Sequence, residues 1–206
     1  MSFQQRGINV PPLTTINKYL IGVIVSVFLV YSILRLSSNL YISQYLGLSG
    51  GLFFSGHIYQ LLTYPFMATG LFEVLFDCLI VWFIGSELEQ LWGSYRYLKF
   101  LIISFLGGGI IFLGINSLLP AWAILTGPGG ISYALLLAYS ILFPTRTLFL
   151  LFFPIKAKWF CLILIAMQFY MGIFTPAGAG AWGHLASMMS GFLYMLYLSR
   201  DSLRLP

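Results

Sequence analysis

Charge is what this sequence has least of. Only 7% of its 206 residues are charged, and Asp and Glu together number five. Soluble domains carry about 25% charged residues, so a water-facing globular surface is excluded. Cysteine is almost as scarce. Cys78 and Cys161 both lie in apolar runs, which favours packed thiols over a disulfide and fixes no compartment. There is no tandem repeat and no low-complexity segment, so a single domain is expected. No cleavable leader is evident either. Met1–Thr15 lacks an apolar core, and the first apolar run is long enough to span a bilayer.

What is present is apolar: 60% of the residues are hydrophobic. This composition defines a polytopic membrane protein, and the net charge of +5 then reads as topology rather than as nucleic-acid binding. A polar tail, 1–17, precedes a membrane domain over 18–200, and a short tail, 201–206, follows it. Six spans are predicted, over about 18–36, 66–91, 97–118, 129–143, 158–174 and 182–199. Residues 37–64 mix Ser, Gly, Tyr and Gln with Leu and Phe and read as interfacial. Leu148–Ile155 reads as a short re-entry or an extension of a turn. Six spans place Arg6, Lys18, Arg96, Lys99, Arg146, Lys156, Lys158, Arg200 and Arg204 on one face and Arg35 alone on the other. That asymmetry predicts both termini on the cytoplasmic side, and the compactness of the chain suits a bacterial inner membrane.

Three polar features fall at similar depth in this scheme. The first is the stretch Thr126-Gly127-Pro128-Gly129-Gly130-Ile131-Ser132-Tyr133, where a loop rich in glycine feeds an apolar helix. A helix start presents unpaired N–H groups and partial positive charge, a suitable place for an oxyanion or a carbonyl oxygen. The second is Glu73 and Asp77, four residues apart and so on one helix face. The third is His184, in a run where Gly180, Gly183, Ser187 and Gly191 make a stripe of small residues suited to close packing, expected against the fourth span. Ionisable groups within spans are costly and are functional candidates by default.

At this point the chain resembles the rhomboid family of intramembrane serine proteases, and the resemblance covers nearly all of it. Trp82-Phe-Ile-Gly85-Ser-Glu87-Leu-Glu89, followed by Trp92-Gly93 and Arg96, is similar to the family signature at the end of the second span. Gly127-Pro128-Gly129-Gly130 stands where the family has Gly-x-Ser-Gly. Tyr133 matches the tyrosine that packs on the catalytic histidine, and His184 matches that histidine, with Ser187 in place of the first of two packing glycines and Gly191 as the second. The resemblance implies an all-α, six-transmembrane-helix rhomboid-like bundle that cleaves peptide bonds in or near transmembrane helices. It implies the bilayer and transmembrane-helix proteins as partners, no nucleic acid, no cofactor and no metal.

The same resemblance marks a departure. The family nucleophile opens the fourth span, and here that position is Gly129; the oxyanion-binding His and Asn of the second span are Glu73 and Asp77. Of the catalytic set, His184 alone remains. Glycine has no side chain with which to attack a carbonyl. Ionised carboxylates oppose a developing oxyanion, and only protonated ones could donate to it. The chain is therefore expected to be an inactive member that binds transmembrane helices at a pocket of Gly127, Gly129, Gly130, Tyr133, Glu73, Asp77 and His184. Other readings stay open: an engineered Ser→Gly change, an active protease using Ser132, or a small ion or proton transporter built on Glu73, Asp77 and His184. A metal held by those three side chains is a weaker version of the last. His57 reads as an interfacial loop residue. Glu87, Glu89, Trp92 and Arg96 read as a structural cluster at the cytoplasmic turn.

Overall fold

The computed structural model describes residues 11–37, 42–118, 123–148, 154–175 and 178–202. Arg6 and Arg204 and parts of the expected tails and loops lie outside the described residues. The long elements are helices α1 (Thr15–Ser37), α7 (Ser94–Leu118), α8 (Gly129–Leu142), α9 (Ala157–Phe174) and α10 (Gly178–Ser202). A helical rod from α5 (Leu71–Ile80) through a π-helical turn (Val81–Gly85) to α6 (Ser86–Trp92) completes the bundle. The interfacial segment folds as three short helices, α2 (Ile42–Leu46), α3 (Gly50–Phe54) and α4 (Gln60–Thr63). Two antiparallel pairs are clips rather than sheets. β1 (Leu48–Ser49) joins β2 (Ile124–Leu125), and β3 (Thr147–Leu148) joins β4 (Ile155–Lys156). The second clip shows that the ends of the 148–155 segment extend a turn.

Several boundaries differ from the sequence reading. α1 starts at Thr15, within the expected tail, because Asn17 is drawn into the bundle and fully buried. The second span loses its first turn, since residues 67–70 are not helical and α5 begins only at Leu71. Among the described residues, Thr15–Leu36, Ser94–Ser117 and Ala157–Phe174 are long and apolar enough to cross a bilayer. The bent pair Gln60–Phe66 and Leu71–Trp92, which meet at 92°, brings the number to four. α8 has only 14 residues, about 21 Å at 1.5 Å per residue. α10 is long but diluted by Gly, Ala and Ser. Outward faces are apolar along the helices: Ile33, Phe72, Ile110, Tyr170 and Leu193 are all more than half exposed. A surface of that kind suits lipid and not water.

One end of the bundle is tied by a polar network. Glu89, 4% exposed, accepts from Asn17 Nδ2 (3.2 Å), from the Ile16 backbone N–H (3.4 Å) and from Ser94 Oγ (2.7 Å). Tyr97 donates its hydroxyl hydrogen to Asn17 Oδ1 at 2.6 Å. The start of α1 thus receives an acidic cap from another helix, which satisfies N–H groups it cannot bond itself. Gly93, with φ +77°, makes the sharp turn from α6 to α7. Nearby, Glu87 pairs with Arg146 and accepts from Tyr139 Oη at 2.9 Å. Trp92 packs on Phe100 with ring centroids 5.2 Å apart, while Arg96 is exposed.

The glycine triplet of α7 does not interrupt the helix; Gly107 and Gly108 form the contact surface for α10, while Gly109 faces Leu48, Leu61 and Tyr64. A β-carbon on Gly107 would overlap Ser190, and one on Gly108 would overlap Ser187 and stand 3.0 Å from the Gly183 carbonyl. Gly191 faces Ser104 and Phe100 in the same seam. The small-residue stripe of α10 therefore packs chiefly on the third span, not on the fourth as expected. Only Ser187 also reaches α8, where a β-carbon on Gly130 would lie 2.6 Å from its Oγ. Gly180 touches nothing within 4 Å. The reason is size: glycine on α7 lets the two backbones meet, whereas α8 brings Leu137 and Ile141 toward Leu185, Met188 and Met189 beyond its first turn.

Replacing Gly108 by Ala is expected to destabilise the fold by about 1–3 kcal/mol through overpacking. Gly114→Ala, on the same helix with nothing within 4 Å, is expected to be neutral or to stabilise by about 0.5–1 kcal/mol. Thermal unfolding of the two variants in detergent checks the contrast.

Candidate functional site

The loop before α8 is held from both sides. β2 fixes its start against β1, and the Gly127 N–H donates to the Tyr64 carbonyl at 2.9 Å. Gly127 has φ +92°, a conformation that favours glycine. A β-carbon there would also overlap Glu73 Oε1. Pro128 then caps α8 at φ −75°, with its carbonyl accepting from the Ser132 N–H at 3.0 Å.

Glu73 is committed to structure at its other oxygen. Oε2 accepts from the backbone N–H groups of Thr69 (3.1 Å) and Gly70 (3.3 Å), so the carboxylate caps the start of its own helix. Asp77, one turn deeper, is 5% exposed and stands beside Ser132. Ser132 is fully buried, and its hydroxyl meets no partner at hydrogen-bonding geometry, His184 included.

His184 lies over the start of α8. A β-carbon built on Gly129 would stand 3.2 Å from His184 Nε2 and 3.5 Å from Tyr133 Cε2. A hydroxymethyl group at that position could reach the imidazole; a hydrogen atom cannot. The rings of Tyr133 and His184 are 5.2 Å apart and inclined at 58°. Neither imidazole nitrogen has a hydrogen-bond partner among the described residues. Gly127, Gly129, Gly130, Glu73, Asp77, Tyr133 and His184 are thus brought to one end of the bundle, with Glu73 turned toward the loop at Gly127. His57 is apart from them, its Nδ1 3.1 Å from the Leu52 carbonyl.

Sequence reasoning missed Gln168. It is 5% exposed on α9 and approaches Tyr133, and its Oε1 has no partner. The available signal was an amide inside an apolar span, which is unfavourable unless it is used. Among the described residues, no group of three His, Cys, Asp or Glu side chains could hold a metal ion, so the Glu73–Asp77–His184 ligand set is not assembled.

A helical bundle with an apolar exterior and a loop-to-helix junction beneath a histidine defines an intramembrane protein of the rhomboid type. Residues 55–201 match the Rhomboid domain, and the chain belongs to that family. It is similar to a Rhomboid-like protein 19 of Arabidopsis thaliana, 28% identical over 151 residues. That match covers 69% of this chain and 49% of the plant protein, so the chain spans about half the length of that relative.

Alanine at two neighbouring glycines separates backbone need from space. Gly127→Ala is expected to lose more than about 1 kcal/mol, from φ and from contact with Glu73. Gly129→Ala, whose β-carbon meets only movable rings at 3.2–3.5 Å, is expected to change stability by less than about 1 kcal/mol. Unfolding midpoints measured side by side decide it.

Proposed function

We propose that this chain is a rhomboid pseudoprotease, which receives transmembrane helices at the Gly129–His184 pocket and does not cut them. The observation that carries the reading is that nothing projects from residue 129 toward His184 Nε2, 3.2 Å from where a β-carbon would be. A base without an acid to deprotonate starts no acyl transfer. The second span argues the same way. A protease needs donors where the tetrahedral oxyanion forms, and Asp77 offers an acceptor beside it. Helix binding survives this loss because it uses the apolar faces and the pocket, not the nucleophile.

The proposed topology is six crossings with both termini on the cytoplasmic side. It draws support from the basic residues gathered at the Glu89 end of the bundle. Lys18 and Lys99 lie near the helix starts there, Arg146 pairs with Glu87, and Lys156 adjoins the β3–β4 clip. A bacterial inner membrane is the proposed location. In this arrangement Gly129 faces the outer leaflet.

Restoring the hydroxyl alone is expected to leave the protein below family rates. Gly129→Ser should cleave a generic rhomboid substrate at least about a hundredfold more slowly than Gly129→Ser/Asp77→Asn, since one lost oxyanion donor costs about 10²–10³ in rate. Full activity of Gly129→Ser alone would overturn the electrostatic argument. Fluorophosphonate labelling of the unaltered chain, lost on Ser132→Ala, would overturn the pseudoprotease reading.

A further inference from the structure

Where α7 leaves the Gly93 turn and α10 nears its end, cations and phenols meet on the surface of the bundle. Arg96 and Lys99 are both exposed and stand three residues apart, on one face of α7. Lys99 Nζ lies 4.2 Å from the centre of the Tyr95 ring. From α10, Tyr194 is within electrostatic reach of Arg96, Lys99 and Tyr95, and Tyr197 is within reach of Lys99. Tyr194 packs on the fully buried Phe100, the ring centroids being 6.5 Å apart, and its ring is inclined at only 24° to that of Tyr197. Among the described residues no carboxylate pairs with either cation. Glu87 is taken by Arg146, and Glu89 by Ile16, Asn17 and Ser94. One helical turn inward, Ile103 follows Lys99 on α7 and Leu193 precedes Tyr197 on α10; they are 38% and 57% exposed.

Like charges at neighbouring positions of a helix repel one another unless an opposite charge joins them. Arginine offers a planar fork of N–H donors, lysine a point charge, and each phenol an O–H. A phosphate group answers such a set with charge-assisted hydrogen bonds. The apolar residues one turn inward decide its source. A free anion makes no use of them, whereas the chains of a phospholipid run along them. The headgroup follows from the charge: a zwitterionic lipid brings a cation of its own to Arg96 and Lys99, and an anionic one does not. We propose that this face between α7 and α10 binds an anionic phospholipid. Arg96, Lys99 and the hydroxyls of Tyr194 and Tyr197 hold its phosphate, and its chains lie along Ile103 and Leu193. The lipid then joins at the surface the same two helices that the glycine–serine seam joins at depth. The site is at the opposite end of the bundle from Gly129 and is independent of helix binding there.

The test uses the whole chain in a non-ionic detergent, with phosphatidylglycerol and phosphatidylcholine of equal chain length as probes; native mass spectrometry reads the bound fraction of each. Phosphatidylglycerol is expected to bind about thirtyfold tighter than phosphatidylcholine, the scale of two basic side chains at an anionic surface. Arg96→Gln/Lys99→Gln should shrink that ratio to about twofold or less. Tyr194→Phe/Tyr197→Phe removes hydroxyls and no charge, and should lower the ratio about threefold. Lys156→Gln/Lys158→Gln removes as much charge at the start of α9 and should keep it. Equal binding of the two lipids to the unaltered chain overturns the inference. So does an equal loss in the Lys156/Lys158 and Arg96/Lys99 variants, which is diffuse attraction to basic charge and not a site. Displacement of phosphatidylglycerol by millimolar inorganic phosphate also overturns it, since the anion then binds without its chains. Should the Arg96/Lys99 variant not fold, the Tyr194/Tyr197 variant and the two lipids on the unaltered chain decide.

Discussion

The close seam between α10 and α7 is the constraint on which the rest depends. Lipid is as apolar as leucine, so helices in a bilayer associate through packing rather than through the hydrophobic effect. Packing of this quality needs backbones in contact, and the seam achieves it by setting glycine against serine: Gly107 against Ser190, Gly108 against Ser187, Gly191 against Ser104. The serines bring hydroxyls into a dry interface, yet they leave none unpaired. Ser187 donates to the Gly183 carbonyl at 3.0 Å, Ser190 to that of Ala186 at 2.9 Å and Ser104 to that of Phe100 at 2.7 Å. Each hydroxyl is satisfied inside its own helix, so the seam is close-packed and polar-neutral at once.

That seam decides where His184 stands. The histidine follows Gly183 and precedes Ser187 by three residues, so the contacts of Gly183 with Leu125 and of Ser187 with Gly108 and Gly130 leave its ring one position, above Gly129. The geometry of a hydroxyl–imidazole pair is thus kept by packing that involves neither partner. The histidine is held over Gly129, a residue without a hydroxyl. Glu73 shows the same economy from the other direction. Its carboxylate holds the first turn of α5 and closes on Gly127.

How much of this could be read in the chain itself varies by element. The helices were readable because their apolar runs are long; α7, α8 and α9 begin and end within a few residues of the expected positions. The Gly107–Gly109 triplet was readable as a place of close approach, but not its partner, because periodicity gives the face of a helix and not the helix it meets. The meeting of Gly129, Tyr133 and His184 came from likeness to a family and not from spacing, since more than 40 residues separate Tyr133 from His184 and no local rule spans them. Gln168 was readable only as an isolated polar residue. A single amide in an apolar run carries no period, and only the arrival of α9 beside Tyr133 gives it meaning. Glu89 was placed correctly in a structural cluster, but its work as a cap for α1 depends on a contact across 73 residues.

The two ends of the bundle treat buried polarity in opposite ways. At the Glu89 end, Asn17 and Tyr97 are fully buried, yet their side chains pair with one another and with Glu89. Nothing is left over there, and such a network fixes three helices in one arrangement. At the Gly129 end, the buried side-chain atoms without partners among the described residues gather: Ser132 Oγ, Gln168 Oε1 and both nitrogens of His184. Native proteins keep few such atoms, because each forfeits the bonds it had in water. Their concentration in one pocket, opposite an end where the same fold satisfies every such group of its central network, is not a general looseness of packing. It sets the Gly129 end apart from the Glu89 end, with the unpartnered atoms collected around a histidine that packing holds in place.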